Sequence, residues 1–339
     1  MKIKILILVI IVSLVGGIFY LKSLYLGENK LGALVEFSVD SGQNFSQVTS
    51  NLKANNLISN EFLFKVLARV QKVDNKIHAG VFNLNQGMGY KQILDNLIEG
   101  RQSTYKLLVK EGESLYDIAQ SLQELGVVKT QDEFFKVVGY PASDFEPELN
   151  SISSKFEFTG YVGKVNSWEG FLFPDTYVLL KNDSVQRVTE LMLSNFNNKI
   201  LQLYLDSNTK LSLDEVITLA SIVAKEGKTF EDKRMVAGVF LNRINIGMAI
   251  QSDATVNYIT RKVTDNPSLE DITNTSPYNT YKNVGLPPGP ISNPGLDDIK
   301  AVLDPSVHKY YYFLNTQDLQ IIYSKTFDEH VANRRKYNQ

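Results

Sequence analysis

Glu226 is the side chain of this sequence whose position is best suited to acid–base chemistry. It lies near the end of Ser212–Gly227, where apolar residues such as Val216, Leu219 and Val223 recur with helical spacing. On a helical wheel of about 100° per residue, Glu226 falls about 20° from Leu219, at the margin of that apolar face. A carboxyl group that is desolvated at the negative end of a helix has a raised pKa and keeps a proton for general acid catalysis. Spacing alone favours the simpler alternative, a helix-end glutamate at the solvent boundary.

Two consecutive helices are predicted around Glu226. Ser212 and Glu215 form a capping-box pattern at the start of the first helix, and Gly227 is expected to take the left-handed position after its end. The second helix is predicted to begin at Thr229 and to end at Gly247. The sequence therefore predicts a helical hairpin whose turn begins beside Glu226.

Two polar segments follow the hairpin and contain the groups that a sugar-binding groove requires. In Met248–Tyr258 the polar residues Gln251, Asp253 and Thr255 alternate along the chain, and Ser276–Tyr281 adds two tyrosines and an asparagine. Aromatic rings stack on pyranose faces, whereas amides bind hydroxyl and N-acetyl groups. Each segment taken alone is equally typical of a structural loop with capping polar residues.

A glycine- and proline-rich segment, Gly285–Gly295, completes this region. Its composition predicts a rigid irregular loop, and loops of this kind usually shape a pocket. The sequence contains no GxSxG, GxGxxG, P-loop or calcium-loop pattern. Neither a serine-hydrolase triad nor a nucleotide site is therefore indicated.

Composition and charge exclude several classes of function. The 339 residues suffice for about two domains, and 35 Lys and Arg against 37 Asp and Glu give a net charge of −2, which disfavours nucleic-acid binding. The absence of cysteine excludes disulfides, thiol nucleophiles and cysteine-ligated metals. The three histidines, His78, His308 and His330, lie far apart in the sequence. We expect neither a metal site nor a cofactor.

An apolar segment without charge, Ile5–Leu21, lies near the N-terminus. At about 1.5 Å per residue it nearly spans the hydrocarbon core of a bilayer, and Lys4 and Lys22 flank it. The alternative is a cleaved signal peptide, but no Ala-x-Ala-like cleavage site precedes Glu28. We expect a single-pass anchor in the inner or plasma membrane, with a cytoplasmic N-terminus and an extracytoplasmic remainder.

An internal repeat with a spacing of 70 residues follows the anchor, because Val39–Phe45 aligns with Val109–Leu115. Each copy predicts a short strand, a glycine turn, an amphipathic helix and a second helix. A strand over His78–Leu84 and a helix over Tyr90–Ile98, ended by Gly100, lie between the copies. The unit is similar to a LysM-like carbohydrate-binding module. The alternative is a small packing domain that only spaces the rest of the chain from the bilayer.

The predicted fold is α+β and has three parts. Residues 1–26 are the cytoplasmic tip and transmembrane helix, residues 27–145 a LysM-like α+β module with the repeat, and residues 146–339 a mixed α/β domain. Residues 140–167, which contain two prolines and several serines, are expected to form an irregular entry to the last part. The hairpin and the polar segments all belong to that last part.

Six motifs in order closely resemble those of the endolytic murein transglycosylases of the MltG (YceG-like) family. They are Glu169–Tyr177, Leu219–Glu226, Val239–Gly247, Gln251–Asp253, Ser276–Tyr281 and Gly285–Gly295. The resemblance extends over nearly the whole chain and implies a YceG-like catalytic domain. It implies cleavage within peptidoglycan glycan strands, between N-acetylmuramic acid and N-acetylglucosamine, with a 1,6-anhydro ring in the product.

The resemblance also implies the catalytic residue. In the family the catalytic glutamate lies in the helix-end motif that here ends at Glu226, and a second acid often stands two residues earlier, where this chain has Ala224. The role therefore falls to Glu226 alone. The candidate substrate contacts are Glu169, Asn242, Gln251, Asp253, Tyr278, Asn279 and Tyr281.

Two other functions stay open beside the lytic transglycosylase. One is a hydrolytic muramidase that uses Asp253 or Glu169 as a second carboxylate, and the other is a non-catalytic scaffold that binds the cell wall. The family resemblance implies glycan strands as the substrate. It further implies a place beside the peptidoglycan synthase and elongation machinery, where cleavage would terminate glycan elongation.

Overall fold

The structure is a computed structural model that describes residues 16, 22–26, 33–100, 104–142, 155–163, 166–180, 183–262, 267–316, 318 and 320–337. The expected membrane anchor, Ile5–Leu21, lies outside these residues except for Gly16. Within the described ranges, no helix combines the length and the apolar character that crossing a membrane requires. The described elements are α-helices, one 3₁₀ helix and two-stranded sheets, which agrees with the predicted α+β class.

The chain divides into two compact units. The first comprises Met1–Tyr105 with Val178–Asp183, and the second comprises Lys106–Tyr177 with Ser184–Gln339. This division separates the two copies of the repeat, whereas the sequence analysis assigned both copies to one module over residues 27–145. As functional domains, the ranges 1–26, 27–145 and 146–339 remain a prediction.

The first unit contains an antiparallel pair of strands and three helices. Its elements are β1 (Leu34–Val39), α1 (Phe45–Ala54), α2 (Glu61–Val70), β2 (Gly80–Asn85) and α3 (Tyr90–Glu99). Phe37 of β1 lies opposite Phe82 of β2, and both rings are buried in the core. The predicted helix stop at Gly100 is confirmed: α3 ends at Glu99, and its C-cap Gly100 has a left-handed φ of 64°.

The second unit is mainly helical. Its helices are α4 (Leu115–Glu124), α5 (Gln131–Val138), α6 (Val185–Leu205), α7 (Leu213–Glu226), α8 (Phe230–Asn245), α9 (Asp253–Thr260), α10 (Leu269–Ile272), α11 (Leu296–Leu303) and α12 (Phe327–Lys336), with a 3₁₀ helix at Glu157–Tyr161. Its strands are β5 (Tyr312–Asn315) and β6 (Ile321–Ser324), which form an antiparallel hairpin. A further pair of strands, β3 (Thr104–Leu108) and β4 (Thr176–Leu180), forms a two-stranded sheet.

Both copies of the 70-residue repeat form the predicted strand, turn and two helices. Gly42 and Gly112 occupy equivalent turns, with φ of 80° and 79°, in the left-handed region that favours glycine. Leu52 in α1 and Leu122 in α4 occupy equivalent positions, and both are 0% exposed. The repeated apolar pattern therefore produces the same local fold once in each unit.

Helices α7 and α8 form the predicted hairpin, with capping boxes that begin at Ser212 and Thr229. The expectation that Gly227 is left-handed is wrong, because its φ is −96° and its backbone is extended. A Cβ added at Gly227 would lie 2.8 Å from Cγ of Lys233. Glycine at this position therefore permits close packing of the turn against α8.

Helix α7 is the central helix of the second unit. Helices α8, α9 and α11 pack on it, and every side chain from Val216 to Val223 is buried. The burial extends around the whole helix, beyond the single apolar face that the sequence pattern indicates. The position of its last residue, Glu226, is therefore fixed by packing on several sides.

The division into two units leads to a prediction for the matched leucines of the repeat. Leu52→Ala and Leu122→Ala each leave a cavity, and each variant should lower the free energy of unfolding by about 2–5 kcal/mol. Amide groups of the first unit should lose protection from hydrogen exchange in Leu52→Ala, and those of the second unit should lose it in Leu122→Ala. Hydrogen exchange resolved by residue measures this, and equal loss of protection in both units from either variant would contradict it.

Candidate active site

Glu226 ends α7 with part of its surface open to solvent. Ser252 donates a hydrogen bond of 2.7 Å from its Oγ to Oε1 of Glu226. Burial raises the pKa of the Glu226 carboxyl and the charge of Asp253 adds to this, whereas the Ser252 hydrogen bond and the charge of Arg243 lower it. The pKa is raised on balance, so the carboxyl holds its proton at a higher pH than a solvated glutamate does. This is the property that a general acid requires.

Hydrogen bonds to both its backbone N–H and its carbonyl hold Ser252 in place. Its backbone N–H donates to Oγ1 of Thr280 at 3.1 Å, and Oγ1 of Thr255 donates to its carbonyl at 2.8 Å. Ser252 is the N-cap residue of α9, yet its side chain makes no capping hydrogen bond to that helix. Its hydroxyl is directed to Glu226 instead. The start of α9 therefore supplies the hydrogen bond that tunes the acid.

Asp253 and Tyr281 form a second polar pair beside Glu226. The hydroxyl of Tyr281 donates to Oδ1 of Asp253 at 2.5 Å. Burial, followed by this hydrogen bond and the charge of Asp253, raises the pKa of Tyr281 well above its ordinary value. Tyr281 therefore stays protonated at neutral pH, and its hydroxyl holds one oxygen of Asp253 in place. The charge of Asp253 adds to the effect of burial in raising the pKa of Glu226.

Arg243 places a positive charge near the carboxyl. Its side chain is 7% exposed, with Nε donating to the Tyr311 carbonyl at 2.6 Å and Nη1 donating to the carbonyl of Ile250. These bonds hold the guanidinium between the end of α8 and the segment that leads to Ser252. A buried cation at this place stabilises Glu226 in its ionised form, which is the opposite effect to that of Asp253.

The glycine- and proline-rich loop Gly285–Gly295 is attached to α7 close to the acid. The N–H of Ile291 donates to Oγ of Ser221 at 3.0 Å, and Oγ of Ser292 donates to the carbonyl of Ser221 at 3.0 Å. Ser221 lies five residues before Glu226 on the same helix. The predicted rigid loop is therefore connected directly to the helix that positions Glu226.

Glu169, a predicted substrate contact, lies in the interior. It is 2% exposed, and its carboxyl accepts hydrogen bonds from the Leu115 N–H at 3.1 Å, the Tyr258 hydroxyl at 3.0 Å and Nδ2 of Asn293 at 3.3 Å. Burial raises its pKa from 4.5 to about 8. The carboxyl is therefore engaged within the fold, and a direct contact of Glu169 with substrate stays a prediction. Glu169 joins the start of α4, helix α9 and the Gly285–Gly295 loop.

Two further predicted contacts are also used inside the fold. The side-chain amide of Asn279, which is fully buried, donates to two carbonyls in the turn that precedes it. The amide of Asn242 donates to the carbonyls of His308 and Tyr310 at 2.9 and 3.0 Å. The Nδ2 groups of both residues therefore hold the surrounding loops, and contact of either residue with substrate stays a prediction.

The remaining predicted contacts lie at the surface of the same region. Gln251 is exposed, has a φ of 55°, and donates its N–H to the Thr280 carbonyl at 3.1 Å. Tyr278 is partly exposed, with its ring 5.5 Å from the ring of the buried Tyr258. Like Asn242, Asp253 and Tyr281, these two residues keep part of their surface exposed. Their binding to substrate stays a prediction.

Ser252 and Arg243 are functional candidates that the sequence-based predictions do not include. The alternation of polar residues at Gln251, Asp253 and Thr255 assigns no helix to this segment, whereas α9 begins at Asp253. Ser252 directly before Asp253 is an N-cap pattern, and that signal would have predicted the helix. For Arg243, nothing in the sequence distinguishes a cation near the acid from an ordinary charged residue in the last turn of a helix.

Comparison with known proteins gives consistent matches. A family model described as the YceG-like family matches residues 37–336. A Bacillus subtilis protein named endolytic murein transglycosylase is 31% identical over 335 residues, covering 96% of this chain and 91% of that protein. A Streptococcus pneumoniae protein of the same name is 29% identical, and the match covers 88% of this chain but only 57% of that longer protein.

A solved structure shares the fold. The crystal structure of a YceG-like protein from Listeria monocytogenes matches with a TM-score of 0.60 at 29% sequence identity. The match covers 89% of this chain and 99% of that one. The mixed α and β architecture described above is therefore also found in a related protein that was solved by crystallography.

Two substitutions beside Glu226 should shift its pKa in opposite directions. Ser252→Ala removes a hydrogen bond to the carboxylate and should raise the pKa of Glu226, whereas Asp253→Asn removes a negative charge and should lower it. Isotope-edited NMR titration of the Glu226 carboxyl measures both shifts. Glu270→Gln, at an exposed position, is the control and should cause no change. Shifts of the same sign in both variants would contradict this electrostatic arrangement.

Glu169 should make stability depend on pH. Its pKa is about 8 in the folded chain against 4.5 when solvated, so folding takes up a proton between these values. The contribution of protonated Glu169 to the free energy of unfolding is complete below about pH 4.5. It should fall by roughly 2–5 kcal/mol as the pH rises through 8. Denaturant unfolding across this range should show a smaller pH dependence for Glu169→Gln than for the wild type. Identical slopes would show that Glu169 is not the titrating group.

Proposed function

The chain belongs to the YceG-like family, and we propose that it is an endolytic murein transglycosylase that cleaves peptidoglycan glycan strands. The observation that carries the proposal is a single partly exposed carboxyl, Glu226, whose raised pKa suits proton donation. Its relatives from Bacillus subtilis and Streptococcus pneumoniae carry the name of this activity. The family membership and the site chemistry therefore support the same reaction.

The first step is general acid catalysis by Glu226. The protonated carboxyl donates its proton to the glycosidic oxygen between N-acetylmuramic acid and N-acetylglucosamine. As the bond from C1 of the muramic acid to that oxygen breaks, the N-acetylglucosamine leaves with a free hydroxyl, and positive charge develops at C1. Burial keeps Glu226 protonated, and this proton is transferred to the glycosidic oxygen of the leaving group.

The second step uses the carboxylate that the first step leaves. Glu226 accepts the proton from the C6 hydroxyl of the same muramic acid while that oxygen bonds to C1, which gives the 1,6-anhydro ring and restores the protonated acid. Ser252 and Arg243 both favour the ionised form of Glu226 and stabilise it between the two steps. The attacking hydroxyl belongs to the same sugar, so its high effective concentration favours it over water.

The alternative hydrolytic mechanism needs a second carboxylate that activates water or attacks C1. Glu169 is unsuited to this role because it is 2% exposed and accepts three hydrogen bonds within the fold. Asp253 lies near Glu226 but accepts a hydrogen bond from Tyr281. A non-catalytic scaffold would not require an acid with a raised pKa at all. The transglycosylase is therefore the function that these contacts support best.

The cellular setting is part of the same proposal. The apolar segment Ile5–Leu21 supports single-pass anchoring in the inner or plasma membrane, with the N-terminus in the cytoplasm and the catalytic residues outside. The repeat supports a LysM-like glycan-binding role for the two strand–helix–helix copies. The substrate, nascent glycan strands, supports a place beside the peptidoglycan synthase and elongation machinery, where cleavage terminates elongation.

The proposal predicts the effect of removing the acid. Glu226→Gln keeps the shape of the side chain but cannot transfer the proton, and it should lower kcat by about 10²–10⁴-fold. Mass spectrometry of digested peptidoglycan should find 1,6-anhydro ends with the wild type and almost none with the variant. The control is Glu270→Gln, which changes an exposed carboxyl elsewhere in the second unit.

Three outcomes would contradict the proposal or its assignment of the acid. Reducing ends in place of anhydro ends would show a hydrolase. Unchanged digestion by Glu226→Gln would show that another group is the acid, and absence of any cleavage by the wild type would favour the scaffold.

A further inference from the structure

Three aromatic rings form a cluster on the C-terminal elements of the second unit, apart from the residues assigned above. Tyr312 lies on β5, and Phe327 and His330 lie on α12. The Tyr312 ring is 5.9 Å from the Phe327 ring and 5.4 Å from the His330 ring, with which it is stacked. The rings of Phe327 and His330 are 6.4 Å apart. We call these three residues the C-terminal platform.

The platform keeps apolar surface in contact with solvent. Helix α12 contains no fully buried residue, and Phe327 is 61% exposed at its first position. Burial of a phenylalanine side chain is favourable, so this ring offers binding energy to a ligand that has an apolar face. The burial of His330 and the charges of Arg334 and Arg243 lower the pKa of its imidazole. The ring is therefore uncharged at neutral pH and suits the same kind of ligand.

The platform is connected to the surroundings of the acid through the buried side chain of Arg243. The Arg243 guanidinium lies 5.3 Å from the centre of the Tyr312 ring. The same guanidinium donates to the carbonyl of Ile250, and Ser252, two residues further along, donates to Glu226. Arg243 therefore contacts the platform on one side and the segment that tunes the acid on the other.

We propose that the C-terminal platform is a glycan subsite, on which pyranose rings of the strand being cut stack beside the cleavage site. This inference rests on the proposed function. An enzyme that cuts within a strand must hold sugars on both sides of the broken bond, so its binding surface extends beyond the acid. The C–H faces of pyranose rings pack on exposed aromatic rings. The Phe327 ring has no polar group, so a sugar that covers it breaks no hydrogen bond between this ring and water.

The basic end of α12 fits the same occupant. Asp328 and Glu329 lie in the first turn of α12 beside Phe327, whereas Arg334, Arg335 and Lys336 form its last turn, one helical turn beyond His330. Peptidoglycan strands carry peptide stems whose carboxylates are negative at neutral pH. A strand that stacks on Phe327 and His330 would bring these carboxylates towards the basic turn, which favours peptidoglycan over an uncharged polysaccharide.

The test measures strand binding without cleavage. The full chain with Glu226→Gln leaves long glycan strands intact, so their Kd is measured by fluorescence titration. Adding Phe327→Leu keeps an apolar side chain but removes the ring face, and it should raise the Kd by about 5- to 20-fold. Phe327→Trp keeps a ring face and should bind within about twofold of the parent. Tyr161→Leu changes an exposed ring of the same unit outside the platform and should leave the Kd unchanged.

The outcomes separate this inference from the proposed function. Equal Kd values for the parent and Phe327→Leu would overturn the subsite, as would a loss of binding as large for Phe327→Trp as for Phe327→Leu. The proposed function is tested independently by the products of the wild type. Anhydro ends together with an unaffected Phe327→Leu variant would therefore retain the transglycosylase and remove only the platform.

Discussion

The ionisation of one carboxyl group is the constraint on which the candidate site depends. Burial at the end of α7 favours the neutral form of Glu226, and the hydroxyl of Ser252 donates a hydrogen bond to its carboxyl. Asp253 and Arg243 act on it with opposite charge. A group that must first give and then take a proton needs this kind of balance, because a strong preference for either form would slow one of the two steps.

The surrounding elements keep that balance because they are rigidly connected. Helix α7 is buried on all sides along Val216–Val223, and Ser221 attaches the Gly285–Gly295 loop to it. Glu169 in turn joins this loop to α9 and to the start of α4. A displacement of α9 would move Ser252 away from Glu226, so these interior contacts support the chemistry without touching a substrate.

Much of the local structure follows from sequence pattern. The 70-residue repeat, the capping boxes at Ser212 and Thr229, and the hairpin around Glu226 form as predicted, because each depends on residues a few positions apart. Gly227 and the start of α9 are different. Gly227 packs closely against Lys233 of the next helix, and Ser252 starts a helix, α9, that the sequence-based prediction does not include.

The sequence by itself determined the chemistry that is possible: one acid at a helix end, no cysteine, few histidines, and motifs of a single family. Only the tertiary structure decided which polar residues are accessible. Glu169, Asn242 and Asn279 have the residue types of substrate contacts, yet their hydrogen-bonding groups are used within the fold. Spacing along the chain reports periodicity within one element. Hydrogen bonds between distant segments determine whether a polar group faces a substrate or the protein interior.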